Sequence, residues 1–135
     1  MKAMLDLNVL MDVLQRREPF FSSAAAVCAW GEKKRTNTLA VPAHAVTTIS
    51  YIVRKTAGAD AEGKALDWFL GNFEVVPSDA AVFRLARTLG MDDFEDAVVA
   101  ASASAVRCSY VITRNVADFR RSPVPAVQPS EFLAL

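Results

Sequence analysis

Apolar positions along this chain follow two alternating patterns, short unbroken runs and helical spacings, separated by proline, glycine and capping residues. Residues 1–6 read as a first buried strand, built on the run Met1-Lys2-Ala3-Met4-Leu5 and ending on Asp6. Asn8 is suited to cap a short helix to about Leu14, with Val9, Leu10, Val13 and Leu14 on one face. Arg17-Glu18-Pro19 stops it, because proline removes a donor and fixes φ. Ser22 or Ser23 then opens an alanine-rich helix to about Lys34. Leu39-Ala40-Val41 is a second strand, ended by Pro42. Helices follow over Ala43 to Lys55, where Val46, Ile49 and Val53 share a face, and over Ala59 to Asn72. Phe73 to Val76 is a third strand; Ser78 or Asp79 caps a helix that Gly90 terminates. Asp93 or Phe94 begins a helix through Val106, and Tyr110 to Thr113 is a fourth strand. Val124 to Val127 carries a proline and suits a sheet edge; Ser130 caps a last turn. Alternating strands and helices predict an α/β fold: a three-layer α/β/α sandwich around a central parallel sheet of four to five strands. Neither a linker nor a repeat interrupts the pattern, so residues 1–135 are expected to form a single domain.

Composition narrows the class of protein. Hydrophobic residues make up 53% of the chain, which excludes a disordered polymer, yet no apolar run reaches the roughly 18 to 20 residues of a membrane span. A signal-peptide pattern is absent from the N-terminus, and the two cysteines, Cys28 and Cys108, read as reduced core thiols rather than a disulfide or a metal pair. A cytoplasmic protein is expected. Fifteen basic residues balance fifteen acidic ones, which argues against non-specific coating of nucleic acid. The basic groups cluster at Arg16-Arg17, Lys33-Lys34-Arg35, Arg54-Lys55 and Arg120-Arg121, as solvated helix ends or as phosphate contacts.

The acids are distributed with more meaning than their number. Asp6 ends the first strand, Asp93 and Asp96 open the uncharged helical run Ala97 to Ala105, and Asp118 follows the fourth strand by a short turn. In a parallel sheet these segments meet at the carboxyl edge, where open α/β folds bind ligands. Crowded carboxylates repel unless a cation compensates them, and a hard cation such as Mg²⁺ takes carboxylate oxygen while keeping waters. The pattern therefore points to a metal-dependent site for a phosphate-containing substrate. Capping accounts for one acid at a helix start, but not for Asp92, Asp93, Glu95 and Asp96 together. Asp96, Asp93 and Asp6 are the candidate ligands; Asn115, Asp118 and the Thr113 hydroxyl lie at the same edge. The lone His44 excludes a multi-histidine metal site and reads as a capping or surface residue. No phosphate-binding glycine loop occurs.

Three segments together carry a resemblance: Met4-Leu5-Asp6-Leu7-Asn8-Val9-Leu10-Met11-Asp12, Asp93-Phe94-Glu95-Asp96-Ala97, and Ile112-Thr113-Arg114-Asn115-Val116-Ala117-Asp118-Phe119. In order and spacing the chain resembles PIN-domain proteins, the small nucleases that include the VapC toxins of bacterial toxin–antitoxin pairs. The resemblance implies Mg²⁺ or Mn²⁺ and hydrolysis of RNA. It implies metal ligation by Asp6, Asp96 and Asp118, with Asp93 as a fourth catalytic acid orienting the attacking water. Asn8, Thr113 and Asn115 would support the ligands or hold the phosphate, and Arg16, Arg17, Arg54 and Arg114 would contact RNA. An antitoxin and a second copy of the chain are the implied protein partners, because the Ala24–Trp30 and Leu66–Leu70 helices carry more apolar surface than one small core buries.

One departure bears on activity. Such proteins commonly carry Glu or Asp in the helix after the second strand, where this chain has Val46-Thr47-Thr48-Ile49-Ser50-Tyr51, with Thr48 in the expected place. A neutral hydroxyl compensates less metal charge, so weakened activity is expected. The alternative is a catalytically weak or inactive module that binds RNA or protein; a small phosphatase ranks below both, since Asn8 stands where its second Asp belongs.

Overall fold

A computed structural model describes residues 1–135. Strand β1 is Lys2–Leu5, followed by α1 (Leu7–Leu14), α2 (Phe21–Lys33), β2 (Thr38–Pro42), α3 (Ala43–Ala57), α4 (Ala59–Asn72), β3 (Glu74–Val76), α5 (Ala80–Thr88) and α6 (Phe94–Ala105). Strand β4 (Tyr110–Ile112), a 3₁₀ turn over Val116–Phe119, β5 (Ala126–Val127) and α7 (Pro129–Leu133) complete the chain. The five strands form one sheet in the order β3-β2-β1-β4-β5, every pair parallel. The expected three-layer α/β/α sandwich is what the chain adopts.

Successive strand residues face opposite sides, and each side has its own core. Ala3, Leu5, Leu39, Val41 and Ile112 pack against α1 to α4 and against Phe132 of α7. Met4, Ala40, Val76 and Val111 pack against Val99, Ala100 and Ala103 of α6, with Phe119 and Val124 closing the edge. The small residues of α6 let it lie close to the sheet; α5 covers its outer side through Val82 and Ala86 against Ala97, Val98 and Ala101. Cys28 and Cys108 are free, and burial pushes both thiols up to about 11.

Strand order reverses around β1: the chain runs outward through β2 and β3, then returns to place β4 on the other side of β1. Such a switch point opens a crevice beyond the carboxyl ends of the two strands. Asp6 and Thr113 are the residues that immediately follow β1 and β4 there.

Several helix starts differ from the sequence reading. Asp6, not Asn8, caps α1: its carboxylate accepts from the Leu7 backbone N–H at 2.8 Å. The side chain of Asn8 is thereby free to reach the segment that follows β4. Helix α2 begins at Phe21, ahead of Ser22 and Ser23, and no side chain caps it. Helix α7 begins with Pro129 rather than after Ser130, and Glu131 accepts from the Gln128 backbone N–H at 3.1 Å. Asp79 and Asp93 cap α5 and α6 as expected, accepting from Val82 and Asp96 N–H groups at 3.0 and 2.9 Å.

Candidate functional site

Asp6 is buried, and both its oxygens are engaged: Oδ1 by the Leu7 N–H, Oδ2 by the Thr113 hydroxyl at 2.8 Å. Thr113, fully buried, also accepts from Asn8 Nδ2 at 3.4 Å and from the Asn115 backbone N–H at 3.0 Å. The Asn8 side-chain Oδ1 accepts from the Arg114 backbone N–H at 3.4 Å. These bonds tie the start of α1 to the end of β4 and hold the Asp6 carboxylate in the crevice. Burial raises the Asp6 pKa, opposed by the bonds from Thr113 and Leu7; Glu95 raises it further and His44 lowers it.

Asp96 lies in the first turn of α6, half-buried, and Asp93 caps the same helix. The Asp96 carboxyl is pushed up to about 7, first by desolvation and then by the charges of Asp6, Asp93, Asp118 and Glu95. Acids from three separate segments thus act on one group. Asp92, Asp93, Asp96 and Asp118 line one cavity of about 370 Å³, whose remaining walls include Gly90, Met91, Ala117, Arg120 and Arg121. Phe119, buried beside the exposed Asp118, anchors the 3₁₀ turn that presents it. Asp6, Asp93, Asp96 and Asp118 have no Lys or Arg within 4.0 Å. No three His, Cys, Asp or Glu side chains converge tightly enough to hold an ion together. An ion that takes one or two carboxylates directly and keeps several waters, as Mg²⁺ does, needs no such three-residue cluster.

The basic residues divide differently from the sequence reading. Arg114 turns its guanidinium inward to the fully buried Asp12, with Nε 2.6 Å from Oδ2 and a second nitrogen 3.2 Å from Oδ1, and it stacks over Phe20 at 4.1 Å. Arg17 reaches the same carboxylate at 4.0 Å, and Arg16 lies over Phe21 at 5.6 Å. Arg54 pairs with Glu62 at 3.2 Å. It sits ten residues beyond His44 on α3, about 15 Å along the axis at 1.5 Å per residue, and so is removed from the crevice. Of the arginines expected to meet RNA, Arg54 thus lies away from the crevice, and Arg114 is first a clamp on Asp12.

Thr48 donates its hydroxyl to the His44 carbonyl at 3.0 Å, one turn back on its own helix. The residue that α3 presents to the acids is His44 itself. Its Nε2 lies 3.7 Å from Glu95, and both ring nitrogens are buried without a hydrogen-bond partner. The signal for it was positional: His44 is the second residue after β2, and every strand end in a parallel sheet delivers the next helical turn to the carboxyl edge. Asp12 was also missed, because an acid within a short helix reads as solvent-facing.

A PIN domain model matches residues 2–117 of the chain. The chain belongs to the PIN-domain family. Among solved structures, this PIN chain is similar to VapBC-1 of nontypeable Haemophilus influenzae, at 15% identity and a TM-score of 0.74, over 96% of this chain and 99% of that one. It is similar to a toxin–antitoxin complex from Klebsiella pneumoniae at 21% identity and a TM-score of 0.72, over 94% and 97% of the two chains. It is also similar to the sarcin–ricin-loop-cleaving toxin VapC20 of Mycobacterium tuberculosis, at 15% identity and a TM-score of 0.64, over 81% and 86%. At these identities the likeness establishes the shared PIN fold. No curated protein sequence gives a significant match. No helix is long and apolar enough to cross a membrane.

Proposed function

We propose that this PIN domain is a metal-dependent endoribonuclease and the toxin of a type II toxin–antitoxin pair. One observation carries the reading: carboxylates from the end of β1, the start of α6 and the turn after β4 all act on Asp96 at the switch point, and no Lys or Arg lies within 4.0 Å of Asp6, Asp93, Asp96 or Asp118. That arrangement is costly for a merely structural site, because like charges at short range raise one another's proton affinity instead of stabilising the fold.

Mg²⁺ or Mn²⁺, when bound, supplies Lewis-acid activation of the phosphodiester and of water. Asp6, Asp96 and Asp118 are the residues that would hold it, one or two of them directly and the rest through its bound waters. Thr113 and Asn8 fix the Asp6 carboxylate so that it needs no reorganisation on binding. Asp93 is committed through Oδ1 to the Asp96 N–H, leaving its other oxygen to orient water. Asn115, exposed beside Thr113, is placed to hold water or a phosphate oxygen. The toxin role is supported by the fold likeness to a chain of the Klebsiella pneumoniae toxin–antitoxin complex, and it implies an antitoxin and a second copy of this chain as partners.

The test is cleavage of a fluorescent single-stranded RNA in Mg²⁺ or Mn²⁺. Asp6→Asn and Asp96→Asn abolish cleavage with circular dichroism unchanged; equal cleavage by wild type and both variants refutes the assignment. RNA binding without cleavage at saturating Mn²⁺ favours the second reading, an inactive binding module, which rests on the lack of three convergent ligands.

A further inference from the structure

The acid-lined cavity has a second wall of opposite sign. Arg120 and Arg121 line it together with Asp92, Asp93, Asp96 and Asp118, yet neither arginine comes within 4.0 Å of any carboxylate. Opposite charges that share a cavity without closing on one another leave room for a ligand that satisfies both. Arg121 is held in place: one guanidinium nitrogen donates to the Gly90 carbonyl at 3.1 Å. Gly90 has φ +69, and a Cβ there would sit 3.0 Å from that same nitrogen, so the glycine both makes the turn and makes room for the arginine. Arg120 directly follows the 3₁₀ turn that carries Asp118, so the acidic and basic walls share one short segment anchored by Phe119.

We propose that Arg120 and Arg121 form a phosphate subsite, seating the backbone phosphate of single-stranded RNA next to the one held at the acids. This inference rests on the nuclease reading. A cation against the carboxylates and a phosphate against the guanidiniums fill the two walls together, and a phosphodiester chain supplies successive anions. Arginine suits the task because its planar fork bonds two phosphate oxygens at once. Arg54 and Arg114 turn their guanidiniums to Glu62 and Asp12 instead of to this cavity.

The experiment is fluorescence anisotropy with fluorescein-labelled oligouridylate, with Ca²⁺ replacing Mg²⁺ and gel analysis confirming intact RNA, over a range of salt concentrations. Replacing both arginines by glutamine raises Kd about tenfold and reduces the slope of log K against log salt by about 0.7 for each phosphate that is no longer neutralised. The double lysine variant keeps the slope. Calorimetric Mn²⁺ affinity stays within about twofold in both variants. An unchanged Kd and slope in the glutamine variant overturns the subsite while leaving the nuclease reading to the Asp6 and Asp96 variants. Full displacement of the RNA by inorganic phosphate at equal concentration overturns it too, since that marks a free-anion site. A wild-type protein that binds neither Mn²⁺ nor oligouridylate overturns both.

Discussion

Removing the charge of Asp96 should make the metal-free protein more stable while removing a ligand of the proposed metal site. In the folded chain its pKa rises from the ordinary 3.8 to about 7, through desolvation and then the neighbouring Asp6, Asp93, Asp118 and Glu95. An acid shifted upward holds its proton in the fold at pH values where the unfolded chain has released it. Its penalty is therefore absent at low pH, grows as pH climbs above 3.8, and is complete above about 7. The full shift corresponds to at most about 4 kcal/mol. Asp96 is half-exposed, and solvent screening reduces that to about 1–2 kcal/mol. Against this, a carboxylate in the first turn of α6 gains about 0.3–1 kcal/mol from the helix dipole, which asparagine forgoes. The net expectation for Asp96→Asn is a gain of about 1 kcal/mol at pH 8 in EDTA that vanishes near pH 4, read by urea unfolding. Adding Mn²⁺ should stabilise wild type and not the variant, since a ligand that binds only the native state raises its stability. An Asp96→Asn variant that is destabilised at pH 8, or whose gain is the same at both pH values, would refute the electrostatic account of the site.

Two further outcomes follow from the contacts around it. Asp12→Ala should cost about 3 kcal/mol in urea unfolding, the lower end for a broken buried pair because Arg114 keeps partial access to water; in a double-mutant cycle with Arg114→Ala the two losses should overlap by about 2 kcal/mol, and simple additivity would mean that the pair is not coupled. Thr48→Val should leave the rate of RNA cleavage within about twofold of wild type, because its hydroxyl donates to the His44 carbonyl rather than to the acids; a loss of about tenfold or more would show that the hydroxyl acts on the substrate or ion.

Most of the fold was legible because its elements are locally consistent. Short apolar runs end on Pro42, Pro77 or an acid, and helical faces such as Val46-Ile49-Val53 keep one period throughout. The acids were legible for the same reason: Asp6, Asp93, Asp96 and Asp118 stand at element ends, and element ends in a parallel sheet collect at one edge. What could not be read was the direction of side chains whose partners are remote in the chain. Asp12 belongs by pattern to the polar face of a two-turn helix, yet it is fully buried because Arg114, 102 residues later, meets it. Asn8 looks like the cap of α1 and instead bonds Thr113 and Arg114, since Asp6 takes the capping position.

These long-range bonds also bear on how the proposed site would hold an ion with Thr48 where a further acid is expected. The place where a further carboxylate is expected carries Thr48, whose hydroxyl is turned back on its own helix, and the side chain facing the acids from α3 is His44, which lowers rather than raises the pKa of Asp6. Fewer negative groups repel one another in the crevice, which lowers the cost of folding it without metal. The same deficit leaves less charge to attract a cation. Rigid placement offsets part of that loss: Asp6 is held by two hydrogen bonds, and the loop that supplies Thr113 and Asn115 is pinned by the Arg114–Asp12 pair. A ligand that needs no reordering on binding gains affinity by the entropy it does not lose. The Asp12–Arg114 pair is then a positioning device as well as a stabilising one, and Asp12→Ala should weaken Mn²⁺ binding as well as the fold.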